Sequence, residues 1–187
     1  LPDNGRLHLI TAARLDLRHK ALDRGVRAFA ELKRRGLADQ AEWYILGGGP
    51  DEAELKRLIA QLGLIGRIFL LGQRLRPLPI VAQGDLFFLP SRAEGKPMAV
   101  TEAMMLGLPA LVTNYASAAE QVRQGVDGLI VENSQQGVTE GLCRLVAQPE
   151  EVQRMGRAAA AHDYGNEGDV ARLYALLDEI RRERGDG

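Results

Sequence analysis

The chain has 187 residues, 45% of them hydrophobic and 26% charged, with 24 Lys and Arg against 25 Asp and Glu for a formal charge of -1. Those proportions fit a single soluble globular domain and exclude a disordered chain, a collagen and a disulfide-rich miniprotein. The lone Cys143 cannot form an internal disulfide and reads as a small core residue on a helix; the longest nearly apolar stretch, Ala103 to Val112, is about half the ~20 residues of a membrane span, and no signal peptide is visible.

In chain order, short apolar runs that end in Gly or Pro alternate with longer segments of 3.6-residue spacing. Leu7–Ala12 is the first predicted strand, followed by a helix marked by Leu22, Val26, Phe29 and Lys33, the lysine stem lying along the apolar face. Trp43–Leu46 is the second strand. Pro50 with Asp51, Glu52 and Glu54 is a helix start, since Pro needs no donor at the first position and acids suit the positive end; Leu55, Leu58, Ile59 and Leu62 continue it to Gly63. Ile68–Leu71 and Leu86–Leu89 are the next strands, then a short helix is bracketed by Pro97 and Gly107. Ala110–Thr113 follows, with Ser117 and Glu120 spaced as a capping box, and Leu129–Val131 is the sixth strand. After about Pro149 the chain reads as a helical appendage. Its last helix carries Val170, Leu173, Tyr174, Leu177 and Ile180 on one stripe behind an Asn166 cap.

Regular alternation of strand and helix implies an α/β fold of parallel strands joined by right-handed crossovers. The expected architecture is a Rossmann-like three-layer sandwich with a parallel sheet of about six strands, spanning residues 1–187 as one domain. Open sheets of this kind bind ligands at the carboxyl ends of their strands, so the segments leaving each strand are the candidates. The first 36 residues hold nine Lys and Arg against four Asp and Glu, which favours an anion; with few interleaved aromatics, a small phosphorylated ligand fits better than nucleic acid. Arg14 and Lys20 would supply that charge. The helix N-terminus near Gly95 to Thr101 offers unsatisfied N–H groups to a diphosphate. Glu102 stands among Met98, Ala99, Val100, Ala103, Met104 and Met105, where a buried carboxylate needs a cation, backbone donors or ligand hydroxyls; Glu94 lies in the loop before that helix. Gly47-Gly48-Gly49 permits close backbone approach but lacks dinucleotide spacing, and His8, His19 and His162 lack metal-ligand spacing.

The succession Arg14…Lys20, Leu46-Gly-Gly-Gly-Pro50, Glu94-Gly-x-Pro97 with Glu102-Ala-Met, Gly107-Leu-Pro109 and Gly125-Val-Asp-Gly128-Leu resembles the C-terminal, donor-binding domain of the family 4 retaining glycosyltransferases, which have the GT-B fold. The resemblance spans roughly residues 6–182. It implies that Arg14 and Lys20 bind the diphosphate of a nucleotide sugar and Glu102 the ribose hydroxyls. Glu94 would face the donor sugar, with Gly95, Lys96, Pro97, Met98, Ala99 and Thr101 around sugar and phosphate, Gly48 beside them, and Gln73 and Arg74 near the base. The implied reaction is transfer, with retention and without a metal or other cofactor, to a saccharide or lipid-linked acceptor in bacterial surface polysaccharide biosynthesis. The implied location is the cytoplasm, including the inner face of the membrane, with no transmembrane segment and no nucleic-acid partner. An N-terminal domain of the same enzyme would complete the acceptor site, and residues after 149 would pack on it, so this domain alone is expected to turn over little. One departure is Ala21, where the common form has Gly. The other readings are a non-catalytic nucleotide-binding module and a GT-B nucleotide-sugar epimerase.

Overall fold

The computed structural model describes residues 1–164. Six strands, β1 Leu7–Ala12, β2 Ala41–Leu46, β3 Ile68–Gly72, β4 Leu86–Leu89, β5 Ala110–Thr113 and β6 Gly128–Val131, form one sheet in the order β3-β2-β1-β4-β5-β6. Every pairing is parallel. The helices are α1 Leu22–Arg34, α2 Glu52–Gln61, α3 Leu78–Val81, α4 Met98–Met105, α5 Ala118–Gln121, α6 Gln135–Ala147 and α7 Pro149–Ala160.

Successive side chains of a strand point to opposite faces, and here both faces are apolar because helices cover both. Leu9, Trp43, Ile45, Phe88 and Leu111 pack against α1, α2 and α6 through Val26, Phe29, Leu55, Leu142 and their neighbours. Ile10, Tyr44, Phe87, Leu89 and Val112 face α3, α4 and α5 through Val81, Val100, Met104 and Ala118. This is the expected three-layer sandwich. Trp43 anchors the first layer: it stacks on Phe29 with ring centroids 5.7 Å apart, and its indole donates to Thr11 Oγ1 at 2.9 Å. Gly25 lets α1 close on that ring, because a Cβ there would overlap it. Cys143 is buried on α6, as expected, and burial pushes its thiol up.

Several local expectations are corrected. Strand β2 begins at Ala41, two residues before the apolar run, with Glu42 buried inside it. In the last turn of α1 the core residue is Leu32; Lys33 is exposed and donates to the Gly63 carbonyl after α2 at 3.0 Å. Helix α2 starts at Glu52, because the Asp51 carboxylate accepts from Leu17 N at 2.7 Å instead of capping its own helix. Pro97 is the N-cap of α4, one position outside the helix. Ser117 makes no capping box: its hydroxyl donates to the Gly95 carbonyl, whereas Ser134 caps α6 by accepting from Gly137 N at 3.0 Å. Helix α7 is not an appendage either. Its Val152 and Met155 lie in the first core layer, so it belongs to the domain body. The stripe from Val170 to Ile180 and its Asn166 cap lie outside the described residues.

Candidate active site

The sheet order reverses between β1 and β4, and the helices that follow these two strands cover opposite faces. A crevice therefore opens at their carboxyl ends. The loop after β1, residues 13–21, and the loop after β4, residues 90–97, form its lips. They are joined by Arg92 N donating to the His19 carbonyl at 2.7 Å. The first lip is also bound to the glycine loop after β2, through Ala13 N to Leu46 O at 3.0 Å and Leu15 N to Gly48 O at 3.1 Å. This is the close approach the glycines permit: Gly47 sits at φ 137, and a Cβ on it or on Gly49 would overlap the Ala13 or Leu15 backbone. Around Gly48 the space is open.

Across the crevice, Lys20 Nζ donates to both oxygens of Glu94, at 2.7 and 2.9 Å. Ser91 Oγ donates to Glu94 Oε1 at 2.6 Å. Ser91 is fully buried and its carbonyl accepts from Thr113 Oγ1, so strand β5 supports the lip that carries Glu94. The Glu94 side chain is 9% exposed and that of Lys20 24%, which places the pair at the wet edge of the core. Beneath it, burial and then the charge of Glu94 push the Tyr115 hydroxyl up.

Arg14, Gly48, Gln73 and Arg74 come together as lining of a cleft of about 730 Å³ at the ends of β1, β2 and β3. Neither arginine has an ion-pair partner among the described residues. Lys96, Met98 and Thr101 line a different hollow, of about 220 Å³, with Gln121 and Tyr164. Thr101 Oγ1 accepts from Gln121 Nε2 at 2.9 Å, and the same amide donates to the Pro97 carbonyl at 3.2 Å. Gly95 is exposed on the lip and Ala99 is half-buried at the start of α4.

Glu102 departs from its expected setting. It is exposed, without a side-chain partner among the described residues, because α4 turns only Val100, Ala103 and Met104 to the sheet and leaves Met98 58% and Met105 61% exposed. Of the three methionines that read as core, only Met104 is buried. Sequence reasoning also missed Ser91 as the support of Glu94; its position three residues before Glu94 at the end of β4 was the available signal.

Among the described residues no group of three or more His, Cys, Asp or Glu could hold a metal ion, and no helix is long and apolar enough to cross a membrane. The family model described as glycosyl transferases group 1 matches residues 2–162. Salmonella typhimurium WcaL, named for colanic acid biosynthesis, is 31% identical over 189 residues, covering 93% of this chain and 45% of its own. The GDP-mannose-dependent alpha-(1-6)-phosphatidylinositol monomannoside mannosyltransferase of Mycolicibacterium smegmatis is 32% identical over 178 residues, covering 88% of this chain and 46% of its own. The chain thus spans about half the length of these relatives. Among solved structures, the pneumococcal O-GlcNAc transferase GtfA in complex with UDP and GlcNAc superposes with a TM-score of 0.81 at 21% identity, covering 95% of this chain and 37% of that one.

Proposed function

The chain belongs to the group 1 glycosyl transferases, and on that premise we propose that it is the donor-binding half of a GT-B enzyme that transfers a sugar from a nucleoside-diphosphate sugar. The observation that carries the reading is the Lys20–Glu94 pair bridging the loops after β1 and β4, with Arg14 of the first loop lining a cleft at the ends of β1, β2 and β3. An arriving diphosphate competes with Glu94 for Lys20. Lys20 and Arg14 then neutralise the charge that grows on the diphosphate as the glycosidic bond breaks, and the N–H groups at the start of α4 add to that stabilisation. Glu94, released from its cation, accepts from donor-sugar hydroxyls. Gly95 to Ala99 supply backbone contacts, Glu102 the ribose contact, and Gln73 with Arg74 the base contact. Positive charge at the leaving group comes from the chain itself, so no metal is called for.

We assign the acceptor to the saccharides and lipid-linked saccharides of bacterial surface polysaccharides, reached through an N-terminal domain, with retention at the anomeric carbon. The colanic acid name of one relative supports the polysaccharide part. Relatives differ in nucleotide: one name specifies GDP-mannose and one structure holds UDP, so the base is a matter for titration. Calorimetry of this chain against UDP, GDP and ADP is expected to find one diphosphate that binds, weakened roughly tenfold or more when Lys20→Ala removes a charge-assisted contact. Glu102→Ala should weaken it less. Binding that survives both Lys20→Ala and Arg14→Ala unchanged would overturn the site assignment. Binding to none of the three sends the same titration to the enzyme with its N-terminal domain, where silence would refute the donor reading.

A further inference from the structure

On the outer side of the first lip lies a second hollow, of about 480 Å³, between α1, α2 and the loop end that carries Arg92. Arg18 from the β1–α1 loop, Arg27 from α1, Arg57 from α2 and Arg92 all line it. Arg92 is fixed: its guanidinium donates to both oxygens of Asp23 at 3.1 Å and also to the Leu17 carbonyl. Arg18, Arg27 and Arg57 are exposed, and none has an ion-pair partner among the described residues. The acids on the rim are Asp23, already held by Arg92, and Glu54, so four arginines against two carboxylates leave the hollow with a charge of +2. Three guanidinium groups from three separate elements, none held by a carboxylate, thus line one concavity in which arginines outnumber acids two to one.

We infer that this hollow is a phosphate-binding site distinct from the donor crevice, taking a phosphate monoester or diester between Arg18, Arg27 and Arg57. The planar guanidinium fork matches phosphate oxygens bidentately, and a tetrahedral group can accept from three directions at once, which a planar carboxylate does less well. Arg18 stands on the same loop as Arg14 and Lys20, so the bound phosphate lies beside the donor, on the α1–α2 side of the lip. The inference goes beyond the donor reading and does not depend on it. Its phosphate has two sources of the same chemistry, an anionic lipid headgroup or a soluble phosphorylated saccharide.

The test titrates this chain with inorganic phosphate and follows arginine side-chain and backbone resonances by NMR, residue by residue. Saturable shifts at Arg18, Arg27 and Arg57 are expected, weakened roughly tenfold or more in Arg27→Ala/Arg57→Ala. The double variant Arg76→Ala/Arg157→Ala removes the same charge elsewhere on the exposed surface and should leave those shifts in place. Circular dichroism of both variants checks that the fold is kept. Sedimentation with phosphatidylcholine vesicles, with and without phosphatidylglycerol, then separates the sources. Vesicle binding that requires phosphatidylglycerol and is lost only in Arg27→Ala/Arg57→Ala identifies a lipid headgroup; saturable phosphate binding without vesicle binding identifies a soluble ligand. No saturable shift at these arginines, or equal loss in the control variant, overturns the proposal whatever the vesicles do.

Discussion

Two carboxylates sit at opposite ends of the same sheet, Glu42 buried and Glu94 half-buried, and have different surroundings. Glu42, at the amino end of β2, is met by Arg6 NH1 at 2.9 Å, Asn4 Nδ2 at 3.1 Å and Tyr44 OH at 2.5 Å, with His8 Nε2 at 3.7 Å. Every oxygen is satisfied by groups on or just before regular strands. Glu94, at the carboxyl end, depends on Lys20 and Ser91 and stands between the loops that follow β1 and β4. The chemistry of the side chain is the same, but the partners of Glu42 come from β1, the segment before it and β2, whereas those of Glu94 come from two loops at the carboxyl ends of the strands, the end at which open parallel sheets bind ligands. A carboxylate locked by the fold stabilises it. A carboxylate whose main partner can be drawn away by an anion is available for work.

Four measurements can break or sharpen that contrast. The largest effect is expected at the open end: Lys20→Ala, in the enzyme that contains this domain, should lower the transfer rate roughly 10²- to 10³-fold, the scale of losing one preorganised contact to a developing charge. Its thermal midpoint should fall less than that of Glu42→Ala, and the reverse order would erase the distinction between the two ends. Next, Glu42→Ala leaves Arg6 without its buried partner and should cost about 3 kcal/mol in denaturant unfolding while leaving nucleotide binding intact. A smaller effect is pH-dependent. Burial pushes the Glu42 carboxyl up, but hydrogen bonds from Tyr44 and Asn4 and the charges of Arg6 and His8 outweigh it and hold it below its ordinary value. Stability from this group is therefore present above the ordinary carboxylate range and is lost as pH falls through its folded value. Stability curves of Glu42→Gln should be flatter on the acid side; parallel curves would remove Glu42 from the account.

The smallest effect concerns Ala21, which ends the first lip. It is fully buried and left-handed, at φ 51 and ψ 37, the only non-glycine residue with positive φ among those described. Such backbone costs an L-residue about 1–2 kcal/mol. Ala28 is equally buried but helical. Both Ala→Gly changes lose a methyl and gain unfolded-state freedom, yet only Ala21→Gly relieves strain, so it should be less destabilising than Ala28→Gly by about 1 kcal/mol. Equal costs would mean that the lip carries no strain.

Much of this was legible in the sequence because it depends on near neighbours in the chain. All six strands were read to within two residues, since each is a mainly apolar run and β2, β3 and β4 are closed by Gly or Pro. The departure at Ala21 was also visible, although its meaning was not: a left-handed backbone angle shows only in three dimensions. What misled was composition read without direction. The apolar sequence of α4 suggested a buried Glu102, but a helix buries only the stripe its neighbours cover, and the sheet covers Val100, Ala103 and Met104. Ser117 has the right spacing for a cap, yet the Gly95 carbonyl competes for its hydroxyl from another loop.

The sequence by itself determined the class of fold, the approximate strands, and the residue types that would gather where strands end. These follow from periodicity and from Gly and Pro, whose effects act over a few residues. Only the tertiary structure decided the strand order, and with it the crevice between β1 and β4. It also decided that Lys20 meets Glu94 across 74 positions of chain, that Arg14 shares a cleft with Arg74, and that Thr101 lines a different hollow, with Lys96 and Gln121. The reason is physical: hydrophobic burial selects which faces pack, it is non-directional along the chain, and the meeting of distant polar groups is a consequence of that packing.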